Sequence, residues 1–123
     1  MIQTQIKEYL EERGWDSLPP ADLAKSIMIE GAELLENFQW KNYTAEEIKA
    51  NPELLANIQK EMADVMIYAI ELAIHLDIDM NQAVQQKMEH NAKKYPAEQI
   101  KNTDSLDDFY MSQKKKYRRE GAS

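Results

Sequence analysis

The feature that most constrains how this chain folds is a pattern written twice. Laying one stretch over the other pairs Leu23 with Leu54, Ile27 with Ile58, Glu30 with Glu61, Glu33 with Asp64 and Leu34 with Val65. On a helix that turns about 100° per residue, Leu23, Ile27, Leu34 and Phe38 form one apolar arc with Glu30 at its edge. Leu54, Ile58, Val65, Leu72 and Leu76 form the matching arc, with Glu61 at the same edge. Glu33 and Asp64 lie further out on the same flank, one turn from their partners. Two helices built on one template present two facing surfaces, and packing them brings four carboxylates to one seam. Clustered like charges repel and are costly to desolvate, and a divalent cation is the simplest way to hold them. One Glu-x-x-Glu by itself is an ordinary solvated helix face. The matched second pair is what a site in a bundle core requires.

The rest of the composition agrees with an all-α chain. Its 123 residues suffice for one domain with a modest core. Only three glycines and few β-branched runs argue against a sheet. With no cysteine, disulfides and thiolate metal sites are excluded. A net charge of -7 and an isoelectric point near 4.8 argue against binding a nucleic-acid polymer. No apolar run is long enough to span a bilayer, so no membrane association is expected. Met1–Trp15 lacks an apolar signal core, and a cytoplasmic location is expected.

Turn and cap residues divide the chain. Ile2 to Arg13 reads as a helix ended by Gly14, and Trp15 to Pro20 as a connector. A second helix begins at Ala21 or Asp22 and runs to about Trp40. Thr44 with Glu47 forms a capping box that opens a short helix over Ala45 to Ala50. Asn51-Pro52 starts a long helix to about His75. Asp79 opens another to about Tyr95, closed by Pro96. A helical domain over residues 1–100 is therefore expected, followed by a polar, partly ordered tail over 101–123. The long helix has a second apolar side, Ile67, Ile70 and Ile74. Burial against another subunit is the favoured expectation, with packing under the chain's own first helix as the alternative.

The donors indicate the metal. Four carboxylates make an oxygen-only set, which suits Mg²⁺ and also Mn²⁺. Iron-carboxylate bundles use Glu-x-x-His, and neither His75 nor His90 has a Glu three residues before it. His75 reads as a helix-end residue near the dipole, and His90 as a surface residue. Neither a Walker motif nor a Gly-x-Ser-x-Gly or zinc signature is present.

Three segments together resemble a known family. They are Glu30-Gly-Ala-Glu33-Leu-Leu-Glu36-Asn-Phe38-Gln39-Trp40, Glu61-Met-Ala-Asp64-Val-Met-Ile-Tyr68, and Lys87-Met-Glu-His-Asn91-Ala-Lys-Lys94-Tyr95-Pro96. From about Ile2 to Pro96 the chain is similar to the MazG-like all-α NTP pyrophosphohydrolases, and most of all to their dCTP pyrophosphatase-like branch. The resemblance implies a four-helix-bundle-type core, a homodimer or homotetramer and Mg²⁺ dependence. It implies cleavage of a nucleoside triphosphate, dCTP or a modified dNTP, to the monophosphate and pyrophosphate. It also implies that Glu30, Glu33, Glu61 and Asp64 bind the metal.

The chemistry of the residues is consistent with that. A triphosphate approaches an acidic site only through cations, which bridge carboxylates to phosphate oxygens. Glu33 is the candidate base, and Glu36, a turn further on, is expected to be solvated. Lys87 and Asn91 share a helix face with Lys94 one turn beyond, and the resemblance sets this helix beside the site. The Tyr68 hydroxyl is a candidate phosphate contact, and Lys25 a weaker one. Trp40 lies off the apolar arc and is a candidate stacking platform; in the resembling branch the tryptophan of Phe-Gln-Trp lines the base pocket. Trp15 falls near where that branch has another base contact. Two other classes compete: a metal-carboxylate redox bundle, which lacks its Glu-x-x-His, and a non-catalytic helical interaction module, which has no need of matched pairs.

Overall fold

A computed structural model describes residues 1–101 and 106–120 of the chain. Every regular element among them is a helix: α1 (Ile2–Arg13), α2 (Pro20–Glu36), α3 (Ala45–Lys49), α4 (Pro52–His75), α5 (Met80–Lys94), α6 (Ala97–Lys101) and α7 (Leu106–Arg119). None is long and apolar enough to cross a membrane.

The ends of these helices follow from local chemistry. Gly14 adopts φ 66°, ψ 27°, the left-handed conformation that a side chain resists. The chain then turns back, and Trp15 N–H donates to Leu10 O at 2.9 Å, the closing bond of a Schellman-type cap. Pro20 opens α2 at its first position, where its missing N–H costs nothing. At α3 the Thr44 hydroxyl accepts from Glu47 N–H at 3.2 Å while Glu47 accepts from Thr44 N–H at 3.4 Å, as the capping box requires. Asn51 caps α4 by accepting from Leu54 N–H at 3.1 Å.

The second helix is shorter than expected, ending at Glu36 rather than near Trp40. Asn37 stops it. Its side-chain amide donates to Leu34 O at 3.1 Å, which competes with continued helix, and its carbonyl accepts from Asn57 on α4 at 2.6 Å. That last bond pins the end of α2 to α4.

Met1–Met80 form one compact unit. Its most extensive contact is α2 along α4, with α1 and α3 also against α4. The matched arcs meet there: Leu23 is fully enclosed and Ile58 is buried. Leu76 is the exception, standing exposed at the C-terminal cap of α4. On the other side of α4, Ile70 packs with Ile6 and Leu10 of α1, and Ile74 lies against them. The expectation that a second subunit covers Ile67, Ile70 and Ile74 is thus corrected for Ile70 and Ile74, which the chain's own first helix covers, while Ile67 is exposed. Burying each such aliphatic side chain contributes about 1.5–3 kcal/mol. Gln3 fastens the start of α1, donating to Ile78 O at 2.7 Å and accepting from Met80 N–H at 3.0 Å.

Asn81–Ser123 form the second unit. Where a polar, partly ordered tail was expected, α7 runs from Leu106 to Arg119; residues 102–105 and 121–123 lie outside the described residues. Phe109, Gln113 and Tyr117, four residues apart, form the half-buried stripe of α7. The Tyr95 ring meets Phe109 and Tyr110 edge-on, with centroids 6.2 and 4.9 Å away. His90 is likewise no surface residue. It is half-buried, 5.3 Å edge-to-face from Tyr117.

Candidate functional site

Helices α2 and α4 bring three of the four expected carboxylates together. Ligand oxygens of Glu30, Glu33 and Glu61 all lie within 4.8 Å of one another. Glu33 lies close enough to act on both Glu30 and Glu61. Burial pushes the Glu30 carboxyl above its ordinary value, and Glu33, Asp64 and Glu61 push the same way. Glu61, only 8% exposed, is raised first by burial, then by Glu33, with Lys60 pulling back. Asp64 is half-buried and stands outside the tightest group, but its charge acts on both glutamates.

These residues fit a hard divalent cation. The donor set is all oxygen, and one oxygen each of Glu30 and Glu61 is buried without a hydrogen-bond partner among the described residues. Such orphaned acceptors are costly unless something positive meets them.

Beside the cluster lies a cavity of about 420 Å³. Its α1 wall is Gln5, Ile6, Tyr9, Leu10 and, after the Gly14 turn, Trp15; its α4 wall is Asp64, Ile67, Tyr68 and Glu71. Asp64 belongs to both the cavity and the acidic flank. Trp15 meets Tyr9 edge-on at 6.0 Å. The Tyr68 hydroxyl is held above its ordinary value, first by burial and then by Glu30, Glu71, Asp64 and Glu33, so it stays a proton donor.

The other expected residues are distributed less compactly. Trp40 lies beyond the end of α2, 89% exposed and off the cavity wall. Lys25 is exposed on α2, 4.0 Å from Asp22. Lys87, Asn91 and Lys94 belong to the second unit. There Lys94 is buried, its ammonium 5.5 Å from the Tyr95 ring centroid and 5.6 Å from that of Tyr117. Glu36 is exposed, as expected.

Sequence reasoning missed Glu71. It is 3% exposed, its Oε1 has no hydrogen-bond partner among the described residues, and His75 Nε2 is 3.9 Å away, beyond bonding distance. Burial raises its carboxyl above the ordinary value, and His75 opposes the shift. The signal was available: Glu71 falls between Ile67, Ile70 and Ile74, an acid inside an apolar side.

Known proteins resemble this chain in sequence and in fold. The model of the MazG-like family matches residues 25–107. Mouse dCTP pyrophosphatase 1 is 38% identical over 91 residues, covering 72% of this chain and 54% of that protein. Human dCTP pyrophosphatase 1 is 36% identical over 92 residues, 73% and 54% respectively. The chain thus spans about half the length of the curated relatives it matches. The crystal structure of a pyrophosphatase from Archaeoglobus fulgidus is similar with a TM-score of 0.64 and 39% identity, over 77% of this chain and 89% of that one. The carboxylate pairs on α2 and α4 and these matches lead to one conclusion: the chain belongs to the MazG-like family.

Proposed function

We propose that this protein is a Mg²⁺-dependent nucleotide pyrophosphohydrolase that cleaves a nucleoside triphosphate, dCTP or a modified dNTP, to the monophosphate and pyrophosphate. The observation that carries the reading is the convergence of Glu30, Glu33 and Glu61 from two helices beside a largely apolar cavity. Similarity to the dCTP pyrophosphatases and to the archaeal pyrophosphatase supports it. The activity is assigned to residues 1–100.

In this reading Glu30, Glu33, Glu61 and Asp64 hold the cation, with Mn²⁺ an acceptable substitute. The cation supplies positive charge against the triphosphate and the leaving pyrophosphate. Glu33, which lies within 4.8 Å of both Glu30 and Glu61, takes the proton from the attacking water. Tyr68 donates its hydroxyl hydrogen toward a phosphate oxygen. The cavity takes the base, with Trp15 and Tyr9 on its wall. Trp40, Lys87, Asn91 and Lys94 are proposed substrate contacts by family resemblance, and Lys25, five residues before Glu30, is a weaker proposed phosphate contact. A homodimer or homotetramer is also proposed. Exposed apolar side chains on the two metal helices, Met28 and Leu35 on α2 and Met62 and Met66 on α4, support it.

The test is a panel of NTPs and dNTPs with Mg²⁺, scoring pyrophosphate against orthophosphate. Pyrophosphate and monophosphate in equal amounts are expected. Orthophosphate release, or no turnover with any member, overturns the reading.

A further inference from the structure

We propose that Glu71 is a specificity-determining residue, whose buried carboxyl accepts a hydrogen bond from an exocyclic amino group on the substrate's base. The inference rests on the reading of the cavity as the base pocket.

Four observations converge on Glu71. The first is position. Asp64, Ile67, Tyr68 and Glu71 form one stripe of α4 along the cavity. At a rise of about 1.5 Å per residue, Glu71 lies about 10 Å along the helix from Asp64. That is comparable with the reach from a nucleotide's phosphates, held at the acidic flank, to the far edge of its base. The second is surroundings. Ile6, Leu10, Ile67, Tyr9 and Trp15 make most of the wall apolar or aromatic, which suits a flat ring. The third is burial. Glu71 is 3% exposed, far below an ordinary helix glutamate. The fourth is an unmet bond: Oε1 has no hydrogen-bond partner among the described residues, and His75 Nε2 at 3.9 Å is too distant to supply one. A buried acceptor in that condition is costly unless the occupant of the cavity completes it.

The chemistry of the carboxyl decides what the occupant must offer. As a carboxylate it offers acceptor oxygens and no donor. An exocyclic amino group projects an N–H beyond the ring and meets that need. Uracil, thymine and hypoxanthine carry a carbonyl oxygen at the corresponding position, whose lone pairs oppose a carboxyl oxygen. The substrate class is therefore nucleotides whose base bears an amino group, and keto analogues are discriminated against. A pocket built to pair a polar group on its ligand rejects the analogue lacking that group far more strongly than an apolar pocket rejects a shape change.

The test uses two pairs of nucleotides that differ in amino against keto substitution: dCMP with dUMP, and dAMP with dIMP. Binding to the full chain is measured by calorimetry, so that neither turnover nor metal is needed. Wild type is expected to bind the amino member of at least one pair about tenfold or more tightly. Glu71→Gln, whose amide can donate as well as accept, is expected to bring that ratio to near one by gaining affinity for the keto member. Equal binding of both members of both pairs by wild type overturns the proposal, whether or not the variant folds. So does a ratio that Glu71→Gln leaves unchanged. Pyrophosphate release measured alongside separates the two readings. Discrimination that depends on Glu71 without turnover removes the proposed activity and keeps this site. Turnover without such discrimination does the reverse.

Discussion

Removing the Trp15 indole tests whether the cavity holds a base. Trp15 is placed by the Gly14 turn, with its N–H bonded to Leu10 O at 2.9 Å, and its ring lines the cavity beside Tyr9. Stacking one base on an aromatic ring is worth about 1–3 kcal/mol. Trp15 is 53% exposed, so part of its face already meets solvent and the lower half of that range applies. Taking about 1–2 kcal/mol, Trp15→Ala should raise the nucleotide KM roughly 5- to 30-fold. The effect on kcat should be smaller, because stacking is present in ground and transition states alike. The assay is initial-rate kinetics with dCTP and Mg²⁺, run in parallel with inorganic tripolyphosphate as competitor and with circular dichroism to confirm the fold. Tripolyphosphate inhibition should hardly change, since it has no base to stack. An unchanged nucleotide KM, or an equal loss of tripolyphosphate affinity, would refute the base-pocket reasoning. Trp40→Ala belongs in the same series. A KM rise there and none at Trp15 would move the stacking wall to the exposed ring beyond α2.

Three further outcomes are expected. Glu61→Gln should abolish turnover without unfolding the chain, because it removes one charge from a group within 4.8 Å of two others; full activity with Mg²⁺ would rule Glu61 out as a ligand. Glu30 and Glu61 are both raised above 4.5 in the fold. The native state therefore binds more protons than the unfolded state between the two values, and its stability falls as pH rises through them. Without metal, the melting temperature of Glu61→Gln should overtake that of wild type increasingly as pH climbs from 4.5, and Mg²⁺ should close the gap; parallel melting curves at every pH would contradict this. Gly14→Ala meets no atom within 4 Å but keeps φ +66°, so denaturant unfolding should show a loss of about 1–2 kcal/mol together with weaker nucleotide binding through displaced Trp15; a neutral result in both would show that the turn does not position the ring.

Much of this protein follows from local sequence alone. Gly14 ends α1, Thr44 and Glu47 open α3, and Asn51-Pro52 opens α4, because each satisfies backbone groups within a few residues of itself. The paired carboxylates on α2 and α4 were legible for a related reason. Helical periodicity specifies which residues share a face, and a template used twice specifies which faces match. Periodicity does not specify what covers a face. Ile70 and Ile74 could meet another subunit or α1, and tertiary packing chose α1. The end of α2 was decided at a distance as well, by the bond from Asn57 to Asn37. The same holds for the cavity, whose walls come from two segments far apart in the chain, Gln5 to Trp15 and Asp64 to Glu71. Glu71 reads in sequence as one more helix glutamate, and only the packing of α1 against α4 removes it from water. A side chain's identity sets what chemistry it offers, but its solvation, and hence its proton affinity and its need of a partner, depends on what the rest of the chain lays over it.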